Sequence, residues 1–335
     1  MLSHGTGIII PLAYPDTIVA LSTERILSVL KYIGIGNKHY IRAGHAALVL
    51  IEKKTGLIEY YDFGRYIVPK SYGRVRGYET DCELCIPIKA KIEGDKINNI
   101  HDILKFLATQ PKLTHGDGRL VASICHVIDY KKAKQYISDL QNKSLVKYAA
   151  FSKNASNCAR FVTDTLIASV TDLKIRKRLK NSTWFTPSTV GNVLIADTQK
   201  HIFEVSSTGD ISTYNKTKNR ENLTCFFDKL KGYNPDKSGS LIPKHVKGLD
   251  EKAQWLSGIG SGAWFEIYKT NDNAHYRFRR ISPYGHIDID GVFKIDNTTF
   301  NYDLNYNFVY HSNCKFFHIE QNGVIFRFDN LKYLN

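Results

Sequence analysis

Residues 156–162 read SNCARFV, and both the fold and the chemistry of the chain turn on how Cys158 is read. Two small polar residues, Ser156 and Asn157, stand directly before an apolar run that continues through Phe161, Val162, Leu166 and Ile167. That pattern predicts a helix start with Ser156 as N-cap and Cys158 in the first turn. First-turn amides lack intrahelical acceptors and the helix dipole favours negative charge, so a thiolate forms there more easily than elsewhere. The same amides can face an oxyanion. The competing reading is a small apolar side chain filling a core position, the commonest use of an unpaired cysteine.

A nucleophilic thiol needs an imidazole partner. Of twelve histidines, His45 is the best placed, because it opens the β-rich run HAALVLI immediately after Gly44. The polar turn KKTG follows, and then LIEYYDFG, which together predict a hairpin. If Glu52 and Leu57 face each other across the turn, alternation puts His45, Ala47, Val49 and Ile51 on one face with Ile58, Tyr60 and Asp62. Asp62 is then the carboxylate that holds the imidazole ring. A register slip of one residue brings Glu59 or Tyr61 to that place instead.

Outward from this core the chain alternates helix and strand signals. GIIIPLAY reads as a buried strand, and DTIVALSTERILSVLKYIG has apolar residues at helical spacing, with Asp16 as its N-cap. NNIHDILKFLATQ and YKKAKQYISDLQ read as amphipathic helices, LVASICHVI and CELCIPI as strands. His126 is taken as a strand histidine, and Cys125, Cys225 and Cys314 as core. From about residue 196 the texture turns to strand alternation. The expected fold class is therefore α+β: an antiparallel sheet packed on helices over 1–195, followed by a β-rich domain over 196–335.

Gly44-His45 opening a strand, a polar residue on the next strand and a later Asn157-Cys158 at a helix start resemble the circularly permuted papain-like cysteine hydrolases. These include the lecithin:retinol acyltransferase-like proteins and the permuted relatives of NlpC-type cell-wall peptidases. NCARFV is similar to the NCxxF/V pattern of the acyltransferase branch, and YYDFGRYIVPKSYGRVRGYETD with AQWLSGIGSGAWF resembles an uncharacterised bacterial branch. The resemblance implies Cys158 as nucleophile and His45 as base, an acyl-thioester intermediate, and no cofactor or metal. In the family the third residue is a histidine, whereas here Asp62 or Glu59 stands in that place.

Further substrate contacts are expected from Asn157, from Trp184 beside Phe185 as a wall of the cleft, and from Arg65, Arg74 and Arg76, whose guanidinium forks suit carboxylate or phosphate. The arginines can equally be partners of Glu79 and Asp81. Lys and Arg number 46 and Asp and Glu 32, so the net charge is 46 − 32 = +14, a field that favours anionic partners such as cell-wall glycopeptide or acidic lipid. No zinc finger, RNP-type motif or basic arm points to nucleic acid. Cys82 and Cys85 have no second pair at finger-like spacing, and the glycines Gly258, Gly260 and Gly262 precede no Lys-Ser/Thr, so neither a metal nor a phosphate-loop role is read. The amino terminus lacks a basic n-region, and no uncharged apolar run reaches membrane-spanning length. The expected location is the cytoplasm, or outside it by a signal-peptide-independent route. The function read from these residues is a thiol-dependent amidase, peptidase or acyl-ester hydrolase or transferase. Its rival is an inactive binding or scaffold protein on the same frame.

Overall fold

The computed structural model describes residues 5–21, 36, 37, 39–152, 154–184, 186–230, 233, 243–297, 299–310 and 312–335. Two compact units divide the chain: Met1–Gly64 with Cys85–Asn234, and Arg65–Leu84 with Pro235–Asn335. The α+β class expected from the sequence is the one observed.

In the first unit the centre is β1 (Gly7–Tyr14), buried along its whole length. It pairs antiparallel with β4 (His45–Glu52), and β4 pairs with β5 (Ile58–Gly64). On its other side β1 meets β6 (Leu120–Ala122) and β7 (Cys125–Ile128), and β8 (Phe203–Val205) and β9 (Ile211–Thr213) extend the sheet from β6. Pro11 sits inside this central strand, a position where a missing donor normally breaks a ladder. It is tolerated because β7 pairs with β1 as far as Ile9 and β6 only from Leu12, so Pro11 falls at the gap between them.

Helices cover the sheet. α1 (Ile100–Ala108) and α2 (Tyr130–Asn142) turn apolar stripes inward, and Asp129 caps α2 by accepting from the Lys132 amide. α3 (Cys158–Ser169) packs on β4 and β5, and α5 (Thr189–Ala196) on β1, with α4 (Leu173–Ser182) packed against both helices. After α6 (Lys218–Phe226) the first unit continues to residue 234.

The helix expected after Asp16 is not what the described part of that segment forms. Ile18–Ala20 is strand β2, paired with β3 (Tyr40–Arg42), and residues 22–35 lie outside the described set. Asp16 does not cap a helix but binds the backbone N–H and guanidinium of Arg119. The expected division at residue 195/196 also moves, because β8 and β9 belong to the first unit's sheet.

Among the described residues the second unit holds an antiparallel sheet of seven strands: β10 (Gln254–Gly258), β11 (Ser261–Lys269), β12 (His275–Ile281), β13 (Ile287–Ile295), β14 (Asn307–Phe308), β15 (Phe316–Gln321) and β16 (Val324–Tyr333). Its spatial order is β10-β11-β12-β13-β16-β15-β14. The Gln254 side chain on one edge strand donates to Tyr306 O and accepts from Phe308 N on the other, which curls the sheet towards a barrel. Phe265, Phe278, Phe293, Phe317 and Phe328 fill it, with ring centroids of Phe278 and Phe317 at 4.5 Å. Each buried ring contributes roughly 2–3 kcal/mol of transfer free energy. CELC does not form the expected strand, since Cys82–Leu84 is a short 3-10 helix. Gly260 has φ +63 in the turn between β10 and β11, so GIGSG is a hairpin turn.

Candidate functional site

His45 owes its position to the residue before it. Gly44 has φ +73, a left-handed conformation costly for any side chain, and a Cβ there would stand 3.0 Å from Tyr14 O. The turn releases His45 at the first position of β4, where its ring lies against Tyr14 at 6.3 Å between centroids. Tyr14 is in turn held by its hydroxyl on Leu107 O and by Gly116, where a Cβ would collide with the ring at 2.2 Å.

The hairpin register sets Glu52 against Leu57, Ile51 against Ile58 and Ala47 against Asp62. Asp62 therefore shares the face of Ala47 and His45, and its Oδ2 lies 3.4 Å from His45 Nε2. That separation is an ion-pair contact, longer than a well-formed hydrogen bond. Asp62 is 0 % exposed and also accepts from the Tyr60 hydroxyl, which donates to the Thr114 carbonyl as well. Glu59 and Tyr61 point to the opposite face, where they bind Lys134, and Glu59 also receives the Tyr130 hydroxyl. Neither alternate reaches His45.

Cys158 is the first residue of α3, and the N-cap is Asn157, one position later than the spacing suggested. The Asn157 carboxamide oxygen accepts from the Arg160 amide at 2.9 Å while its Nδ2 donates to Ala149 O. The thiol, 9 % exposed, lines a cavity of about 350 Å³ in the first unit and is close enough to the His45 ring to favour its protonated form. Burial works against the imidazolium, but hydrogen bonds and charge from Asp62 and Cys158 outweigh it and push His45 up to about 9. Asp117 is raised by its own burial, while the charge of His45 pulls it the other way.

The remaining expected contacts are placed elsewhere. Trp184 is 94 % exposed and does not wall the cavity, Phe185 lies outside the described residues, and Thr186, Pro187 and Ser188 form that side. Arg65, Arg74 and Arg76 belong to the second unit. Arg74 is buried with both terminal nitrogens on Asp81 at 2.6 Å and its Nε on Tyr66 O, so its fork holds an internal carboxylate. Arg76 is buried with its guanidinium 3.8 Å from the centre of the Tyr66 ring. The Arg65 carbonyl accepts from the Ile259 amide.

Two residues that the sequence reading passed over shape the nucleophile's surroundings. Arg160 is buried and donates to the carbonyls of Ser152, Ala155 and Ala150, fastening the loop that leads into Cys158. Asn192 on α5 donates to Ala159 O at 2.8 Å and accepts from Thr163, which locks α3 to α5. A charged residue inside an otherwise apolar helix start was the available signal for Arg160. The cavity also takes in Glu221, paired with Arg119, and Cys225, whose thiol burial and Glu221 push up to about 12. His126 lies in strand β7 and contacts Thr198. Among the described residues no group of three or more His, Cys, Asp or Glu side chains is placed to hold a metal ion, and no helix is long and apolar enough to cross a membrane.

Residues 9–175, which include Cys158, His45 and Asp62, match the family described as type VI secretion system effector TseH-like. Residues 253–331 match the DUF6695 C-terminal domain. The crystal structure of the type VI secretion system effector TseH is similar at 19 % identity and a TM-score of 0.42, over 62 % of this chain and 98 % of that one. No curated protein matches.

Proposed function

We propose that the chain is a thiol-dependent hydrolase of the permuted papain-like kind, with Cys158 as nucleophile, His45 as acid and base and Asp62 as the residue that positions His45. The observation that carries this reading is the grouping of three side chains: the Cys158 thiol on the cavity wall, the His45 ring whose protonation that thiol favours, and Asp62 Oδ2 3.4 Å from His45 Nε2. Cys158 attacks a substrate carbonyl, and the oxyanion faces the first-turn amides of α3. His45, kept as imidazolium by Asp62, protonates the leaving amine or alcohol. Water activated by the same imidazole then hydrolyses the acyl-thioester.

Val19, Leu21, Ile41, Phe151, Pro187 and Val190 give the cavity beside the thiol an apolar wall, which favours an apolar acyl or side-chain group next to the scissile carbonyl. The net charge of +14 favours an anionic polymer or lipid around that group. The effector family matched over residues 9–175 supports export by a secretion machine that needs no signal peptide.

The test is intact-protein mass spectrometry after incubation with cell-wall peptides and with acyl esters, in wild type and Cys158→Ala. A covalent acyl adduct on Cys158 with turnover in wild type alone supports the enzyme. Neither adduct nor turnover with any substrate, together with alkylation of Cys158 no faster than that of the other thiols, would establish the scaffold reading instead.

A further inference from the structure

The second unit holds a pair of thiols that the proposed hydrolase has no use for. Cys314 is fully buried, and Cys82 is partly buried against the same aromatic cluster. The Cys314 amide donates to Thr80 O at 3.0 Å, which pins it two residues from Cys82 in the chain. Cys82 packs against the cluster that contains Cys314, and each thiol perturbs the other. Arg280 Nη1 lies 3.2 Å from Cys314 Sγ, 3.1 Å from Asp81 Oδ1 and 3.4 Å from Thr80 O, so one buried cation fastens both segments.

We propose that Cys82 and Cys314 form an oxidative modification site, which a small or protein disulfide converts to an intramolecular bridge. The neighbouring Cys314 thiol, against the opposing effect of burial, and the charge of Arg280 lower the Cys82 pKa, while burial keeps Cys314 a thiol. The more accessible Cys82 is thus the attacking group and Cys314 the resolving one. The Cys82 thiolate attacks one sulfur of the oxidant's disulfide, that S–S bond breaks, and one thiolate leaves. Cys314 then attacks the Cys82 sulfur of the mixed disulfide, its proton passing to the second departing thiolate. Two protein thiols are oxidised to one disulfide and the oxidant is reduced to two thiols. The bridge joins chain positions far apart within the unit, so it restricts the unfolded chain strongly.

The experiment exposes the full reduced chain to glutathione disulfide, blocks remaining thiols with iodoacetamide, and maps a non-reducing digest by mass spectrometry. A Cys82–Cys314 crosslinked peptide is expected, with the other four cysteines alkylated and the urea midpoint of the second unit raised. In Cys314→Ala the glutathione adduct is expected to remain on Cys82. Wild type in which Cys82 stays free for alkylation, or keeps its glutathione adduct without passing to Cys314, overturns the proposal. Because the wild-type digest alone decides, a variant that fails to fold does not rescue it. The proposal does not depend on whether Cys158 is catalytic.

Discussion

His45 and Asp62 meet at 3.4 Å although they are not partners in the ladder: Asp62 faces Ala47, and His45 stands two residues further along the same face of β4. The contact is a diagonal one, so it needs both the hairpin register and the side-chain alternation to hold at once. It also gives the imidazole a fully buried counter-charge, which explains why His45 is protonated well above its ordinary range despite its burial.

Replacing Asp62 with Asn removes that charge while keeping the shape. With a leaving group that needs a proton from His45, kcat/KM in wild type should fall on an alkaline limb near pH 9, where the imidazolium is lost. In Asp62→Asn the limb should move towards the ordinary histidine range and kcat/KM at neutral pH should drop about 10²–10⁴-fold. A pH–rate profile of both proteins checks this, and an unmoved limb would remove Asp62 from the site.

The same shift links to stability. The folded-state value of His45, about 9, lies above its unfolded value of 6.5, so the stabilisation is fully present below pH 6.5 and is lost as pH rises through 9. Unfolding free energy of the first unit should fall across that window by on the order of 1–3 kcal/mol. Urea titrations at pH 6 and 9.5 measure it, and His45→Gln should flatten the difference.

Gly44→Ala forces a Cβ into a left-handed position 3.0 Å from Tyr14 O. A loss of about 1–3 kcal/mol is expected. Because the strain falls at the residue that delivers His45, activity should drop more than the melting temperature alone accounts for. Parallel thermal melts and turnover assays separate the two effects.

Arg160→Met removes the guanidinium that ties together the carbonyls of Ala150, Ser152 and Ala155, the last of them at a buried residue. We expect about 2–4 kcal/mol of destabilisation. Arg160→Lys should recover only part, since a single ammonium does not reproduce a planar fork. Calorimetry of the three proteins is the measurement.

In the second unit Asp81 sits between Arg74 and Arg280, fully buried, its carboxyl driven well below the usual range: burial opposes this, but the two guanidinium groups win. Asp81→Ala leaves two buried cations without that partner and should cost about 3–5 kcal/mol. A denaturation curve in which only the transition of residues 65–84 and 235–335 moves would show that Arg74 acts within that unit.

The sequence by itself determined what is local and periodic. The two-residue period around KKTG gave the register that brings Asp62 to His45's face, and the Ser-Asn step before an apolar run marked the start of α3. Even there the cap shifts by one residue, from the expected Ser156 to Asn157, whose side chain accepts from the Arg160 amide. What the tertiary structure decided rests on partners far apart in the chain. Arg74 and Arg76 carry the same guanidinium forks whether they meet a substrate or an internal group, and the fold gives them Asp81 and Tyr66. Phe203–Val205 alternates like the strands after it, yet its hydrogen bonds go to Leu120–Ala122, which moves the boundary of the first unit beyond residue 196. A strand's pattern records which face is buried but not which edge it joins, and a charge records its sign but not its partner. Those two choices are made by packing, and here they separate the site residues of the first unit from the buried arginines of the second.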